Sequence, residues 1–168
     1  MFSNVEENVM EKFPERVYTV EEVKKAREFI EKGYKHQLSI EGSHEFKEKA
    51  KKALELIKIA GYYDFLRTYI RKIKEIDGLT QLREAEAAIW ANSYALEDPV
   101  EASSLFIQKA YVMKEFLEGK LYYGGEAELR SIHKRLEFLE ALKERASQKD
   151  IKKRCVELLK FWNEIFLP

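Results

Sequence analysis

Very little in this chain staples, bends or anchors a fold from outside. One cysteine, Cys155, stands among 168 residues, which excludes a disulfide framework and a cysteine-rich zinc site. Three prolines and seven glycines are too few for a linker or a low-complexity tract. The histidines are three, His36, His44 and His133, and they are scattered. No run approaches the roughly 18 apolar residues of a membrane span. Residues 1–7 lack the basic and apolar parts of a secretory signal, so the expected location is cytoplasmic. Net charge is absent too: 30 basic side chains face 30 acidic ones. The balance holds in each half, with 17 against 16 up to residue 84 and 13 against 14 beyond it. Neither half carries a long-range field for a polyanion, which disfavours nucleic acid as a partner.

What is present points to a globular helical chain. Hydrophobic residues make up 45%, and a chain of this length buries a core unaided. The expectation is a single domain over residues 1–168, with residues 1–14, cut by Pro14, as a weakly attached N-terminal segment. The 26 Glu and 21 Lys against four Asn, four Gln and three Thr give a thermophile-like composition.

The pattern is mainly α, with six or seven helices. Thr19 and Glu22 form a capping-box signature, with Gly33 as the stop. Ser43 caps a helix whose apolar positions Phe46, Ala50, Ala53, Leu54 and Ile57 recur at spacings of three and four, up to Gly61. Tyr62, Leu66, Tyr69, Ile70, Ile73 and Ile76 read as another helical stripe, closed by Gly78. Thr80 opens a segment towards Leu96. Asp98-Pro99-Val100-Glu101 is the clearest start, combining an N-cap acid with proline at the first helical position. Its helix presents Ala102, Phe106, Ala110, Met113 and Leu117 and stops at Gly119. After the loop at 121–125 come two further stripes, Leu129, Ile132, Leu136, Leu139, Leu142 and then Ile151, Cys155, Leu158, Leu159, Trp162, Ile165, Phe166. Residues 36–41 alternate as a half-buried strand does. Residues 87–92 fit strand or helix, and as strands the two stretches would pair in a small two-stranded element.

The candidates for chemistry are sparse. His133 and Glu137 lie at i and i+4 on one helix, with Glu126 and Glu128 upstream. These four are the candidate metal ligands, but zinc takes three or four protein ligands and the motif is incomplete. No metal or cofactor is expected. Cys155 sits on an inward stripe and reads as a small buried apolar residue. Gly124-Gly125 before a helix suits a phosphate, yet Glu126 and Glu128 would repel one. Glu84, Glu86, Glu97, Asp98 and Glu101 form an acidic neighbourhood around Trp90, which reads first as a solvated face and otherwise as a dock for a cation or a basic partner. Arg67, Arg71 and Lys74 share one face of the expected helix at i, i+4 and i+7, beside Tyr63. They are the candidate phosphate contacts.

One stretch carries a family resemblance. Ala102-Ser103-Ser104-Leu105-Phe106-Ile107-Gln108-Lys109-Ala110-Tyr111-Val112 resembles the active-site helix of a zincin metallopeptidase. Residues 119–128 are similar to the loop and glutamate-bearing helix that supply a third ligand. The comparison spans residues 36–142. Gln108 and Val112 stand at the two histidine positions of His-Glu-x-x-His, and Lys109 at the general base. Amide, alkyl and ammonium groups neither bind zinc nor take a proton from its water. The resemblance therefore implies a scaffold without its catalytic groups.

The reading that follows is a non-enzymatic protein-interaction or structural domain, self-associating or binding another protein, with no membrane contact. Its candidate interface is Tyr122, Tyr123, Phe161, Trp162 and Phe166, because aromatic residues left outside a small core serve as interface anchors. The alternatives are the inactive zincin-like scaffold and a weak nucleic-acid-binding module.

Overall fold

The computed structural model describes residues 12–166. Six α-helices and four short strands follow in the order α1 (Val20–Glu31), β1 (Ser39–Glu41), α2 (His44–Ile59), α3 (Tyr63–Tyr69), β2 (Lys72–Glu75), β3 (Gln81–Arg83), β4 (Ala88–Ala91), α4 (Pro99–Leu117), α5 (Gly125–Arg145) and α6 (Lys149–Phe166). Two 3-10 turns, Glu84–Glu86 and Ser93–Leu96, bracket β4.

Local chemistry sets the helix starts. The Thr19 hydroxyl accepts from the Glu22 N–H while the Glu22 carboxylate accepts from the Thr19 N–H at 2.8 Å, a complete capping box. Ser43 accepts from the Phe46 N–H at 3.1 Å and opens α2. Asp98 accepts from the N–H groups of Val100 and Glu101, with Pro99 in the first turn of α4.

The sheet runs β1-β2-β4-β3. β1, β2 and β4 are parallel, and β3 lies antiparallel on the β4 edge. Ile40, Ile73, Ile89 and Leu82 stand in register across it and join the hydrophobic core. Because strand side chains alternate, the next row, Glu41, Lys74, Trp90 and Gln81, takes the opposite face. There the Arg83 guanidinium and the Lys74 ammonium lie 4.2 and 5.3 Å from the Trp90 ring centroid. α4 is the central helix: Phe106, Ile107, Ala110 and Met113 have no exposed surface.

Three expectations need correction. The stretches near 36–41 and 87–92 do hold strands, but they do not pair with each other. β2 lies between them, in a sheet of four strands rather than two. The stripe over 62–76 is not one helix. α3 ends at Tyr69, Ile70 turns extended at φ −118°, ψ 126°, and Lys72–Glu75 forms β2 with Ile73 as its buried residue. Isoleucines three apart satisfy a helical period, but β-branched residues favour extended backbone, and Ile73 is buried there between Ile40 and Ile89. The segment from Thr80 to Leu96 is likewise β3, a 3-10 turn, β4 and a second 3-10 turn. The weakly attached segment expected over residues 1–14 lies almost wholly outside the described residues. Its last residues are tied down: Phe13 packs on Tyr34 and His36, and Arg71 Nη2 donates to the Pro14 carbonyl at 3.0 Å.

Candidate functional site

Polar side chains of α4 and α5 meet inside the packed helices. On α5, Ser131, Arg135, Phe138 and Leu142 recur at spacings of four, three and four, so they share one face, and all four are buried. The face of α4 opposite presents Ser104, Gln108 and Glu115. Arg135 Nε donates to Ser104 Oγ at 2.9 Å, Nη1 to Gln108 Oε1 at 2.8 Å, and Nη2 to the Glu101 carbonyl at 3.4 Å. Gln108 Nε2 donates in turn to Ser131 Oγ at 3.1 Å. Arg135 is 4% exposed, and no carboxylate among the described residues makes an ion pair with it. Burial pushes its guanidinium down to about 10, partly opposed by the Glu101 charge. The Trp162 indole covers it, with the guanidinium carbon 4.4 Å from the ring centroid. One helical turn on, Arg130 Nε donates to Glu115 Oε2 at 2.9 Å. Glu115 is itself buried, and its Oε1 has no partner.

Arg135 also lines a groove of about 390 Å³ between the 3-10 turn before α4, the first turns of α4, and α6. Tyr94, Ala95, Leu105 and Trp162 make its apolar walls, and Glu97, Asp98 and Glu101 its rim. The rim acids are paired: Glu97 with Lys49, Asp98 with Arg154 at 2.5 Å, and Glu101 with Arg154 at 3.8 Å. Trp162 Nε1 is buried without an acceptor among the described residues.

A second feature is apolar. α6 returns antiparallel along α5, so its last turns lie beside the first turns of α5. Of the eleven large apolar side chains exposed among the described residues, five belong to this end: Leu121, Tyr123, Leu129, Phe161 and Ile165. Among the interface candidates, Phe161 is 52% and Tyr123 65% exposed. Trp162, Phe166 and Tyr122 are half-buried instead. Trp162 stacks on Phe166 at 5.0 Å, and Tyr122 packs edge-on to Phe116 at 5.3 Å. Leu129 and Ile165, both placed on the expected helical stripes, are 39% and 53% exposed.

The remaining candidates do not assemble. His133 and Glu137 are exposed on α5, where Glu137 accepts from Lys134 at 3.3 Å, and Glu126 and Glu128 are exposed in its first turn. No group of three His, Cys, Asp or Glu side chains among the described residues is placed to hold a metal ion. Arg67, Arg71 and Lys74 share no face, since the expected helix stops between them. Arg67 lies over the Tyr63 ring on α3, Arg71 over Phe13, and Lys74 on the open face of the sheet. The acidic residues around Trp90 divide, with Glu84 and Glu86 before β4 and Glu97, Asp98 and Glu101 beyond it. Cys155 is buried, and desolvation pushes its thiol up to about 11, away from nucleophilic form. Lys109 is half-buried, and burial, then the Arg135 charge, holds its ammonium below the usual lysine range.

Sequence reasoning missed Arg135, Glu115 and His36. His36 is 2% exposed, edge-on to the stacked Phe13 and Tyr34 rings, and its Nε2 has no partner among the described residues. Burial, then the Arg71 charge, holds it down to about 4. No helix among the described residues is long and apolar enough to cross a membrane. Compared with family models, curated proteins and solved structures, the chain matches none.

Proposed function

We propose that this chain is a non-enzymatic protein-binding module that works through the apolar end of the α5–α6 hairpin. The observation carrying this reading is the collection of Leu121, Tyr123, Leu129, Phe161 and Ile165 at one end, exposed and without a covering element among the described residues. Apolar surface concentrated in this way favours association, whereas scattered single exposures do not. Aromatic anchors supply area at little entropic cost. Charged residues interleave on α6, with Lys160 and Glu164 beside Phe161 and Ile165, so the surface offers a polar rim as well.

The polar cluster supports the non-catalytic half of the reading. Gln108 has both ends of its amide engaged, one by Arg135 and one by Ser131. On the zincin-like alternative, this arginine network stands where the metal would be. That alternative predicts zinc bound at one equivalent in protein purified without a histidine tag, and a zinc-free protein counts against it.

The test compares two baits, the wild-type chain and the Tyr123→Ser/Phe161→Ser variant, in quantitative pull-downs from extract of the source cells. Sedimentation of both purified proteins accompanies it. A stoichiometric partner, or a second copy of the chain, held by the wild type and lost by the variant is the expected result. Identical captures with a monomeric wild type overturn the proposal.

A further inference from the structure

We propose that the groove between the 3-10 turn Ser93–Leu96, the first turns of α4, and α6 binds a small organic monocarboxylate with an aromatic or branched aliphatic body. The inference stands independently of the partner-binding reading. It rests on donors inside the groove whose capacity is unmet.

A guanidinium has five N–H groups. Arg135 uses three of them, on Ser104, Gln108 and the Glu101 carbonyl, all neutral acceptors. Its charge is nine-tenths buried with no carboxylate in ion-pair contact among the described residues. Such a charge is costly unless a counter-charge arrives. The indole N–H of Trp162, which also lines the groove, is a second buried donor with no acceptor among the described residues. A carboxylate is acceptor-only and accepts in the planar, bidentate manner that arginine favours.

The rest of the lining sets the ligand's body and charge. Tyr94, Ala95, Leu105 and Trp162 are apolar or aromatic, and about 390 Å³ accommodates a molecule of the size of phenylacetate. Glu97, Asp98 and Glu101 share two cations, Lys49 and Arg154, so the rim itself keeps one net negative charge. A dicarboxylate would set its second charge against those acids, which selects for the monoanion. Phosphate and sulfate have no apolar body to fill the walls.

The Trp162 indole N–H supplies the readout. Its resonance, separated from that of Trp90 with a Trp90→Phe variant, is followed by nitrogen–proton correlation spectroscopy in the folded chain. Phenylacetate is titrated in at fixed ionic strength, with phenylacetamide and phenethylamine as controls. A saturable shift with phenylacetate is expected, with either control about tenfold weaker or worse. Arg135→Met removes the charge while retaining apolar bulk, and it is expected to abolish the preference for the acid over the amide. Leu105→Phe narrows the groove without touching the arginine cluster and is expected to weaken phenylacetate about tenfold. It decides the matter if the Arg135 variant does not fold. Equal responses to acid and amide, no saturable shift, or wild-type binding in Leu105→Phe overturn the proposal.

Discussion

Acidification should unfold this protein earlier than its carboxylates alone would require, because of His36. The ring is 2% exposed, set edge-on to Phe13 at 4.5 Å and Tyr34 at 5.1 Å, and neighboured by the Arg71 charge. Protonation there would place a cation among aromatic rings beside another cation, and the pKa accordingly falls from 6.5 to about 4. A depressed folded-state pKa means that the unfolded chain takes the proton first. Stability is therefore complete above pH 6.5, falls as pH drops towards 4, and loses nothing more from this group below that. At about 1.4 kcal/mol for each pH unit, the shift amounts to about 3 kcal/mol in all, of which roughly 2.5 kcal/mol is gone by pH 4.5. The assay is urea unfolding followed by circular dichroism between pH 7.5 and 4.5, for the wild type and for His36→Phe. Surface carboxylates titrate alike in both proteins, so the difference between the two curves isolates the histidine. The wild type should lose roughly 2.5 kcal/mol more than the variant across that range. Parallel curves would refute the reasoning.

Gly42→Ala should destabilise by about 1–3 kcal/mol in the same urea assay, since an added Cβ meets the Glu75 Cβ and the Phe46 ring at 2.8 Å each, and Phe46 is a buried core residue. Asp98→Ala should cost about 1–2 kcal/mol in thermal unfolding, because the side chain caps α4 and pairs with Arg154. Asp98→Asn, which keeps the cap, should recover most of that loss. Cys155 should resist a thiol reagent at pH 8 and become reactive only in denaturant, because its thiol is buried and pushed up to about 11. Rapid labelling of the native protein would contradict the packing of α6.

The helix framework was legible because its boundaries are local. Thr19, Ser43, Asp98-Pro99 and the loop at 121–125 announce themselves within four residues, and each stands where those signals place it. The sheet was harder to read. Ile70, Ile73 and Ile76 are three apart, which fits a helical stripe, and only the pairing of Ile73 with Ile40 and Ile89 across the sheet selects the strand. That pairing spans dozens of residues and leaves no mark on the local pattern. The arrangement of Arg67, Arg71 and Lys74 on one face fell with the same misreading. At the candidate sites, Phe161 was legible as a residue off its helix's inward stripe, and it is exposed. Arg135 was not, although it occupies the inward spacing Ser131, Arg135, Phe138, Leu142. A stripe position filled by arginine opposite Ser104 and Gln108 on the neighbouring helix is the signal that would have found it.

The central claim, that the end of the α5–α6 hairpin is a protein-binding surface, is tested most directly by side-chain oxidation footprinting in two settings. One is dilute purified protein and the other is the tagged chain in concentrated extract of its source cells. Tyr123, Leu121, Phe161 and Ile165 should lose reactivity in extract, while Tyr18 and Leu79, exposed at 68% and 89% on other parts of the molecule, should keep theirs. Equal reactivity of the hairpin residues in both settings, or uniform protection of all six, would contradict it.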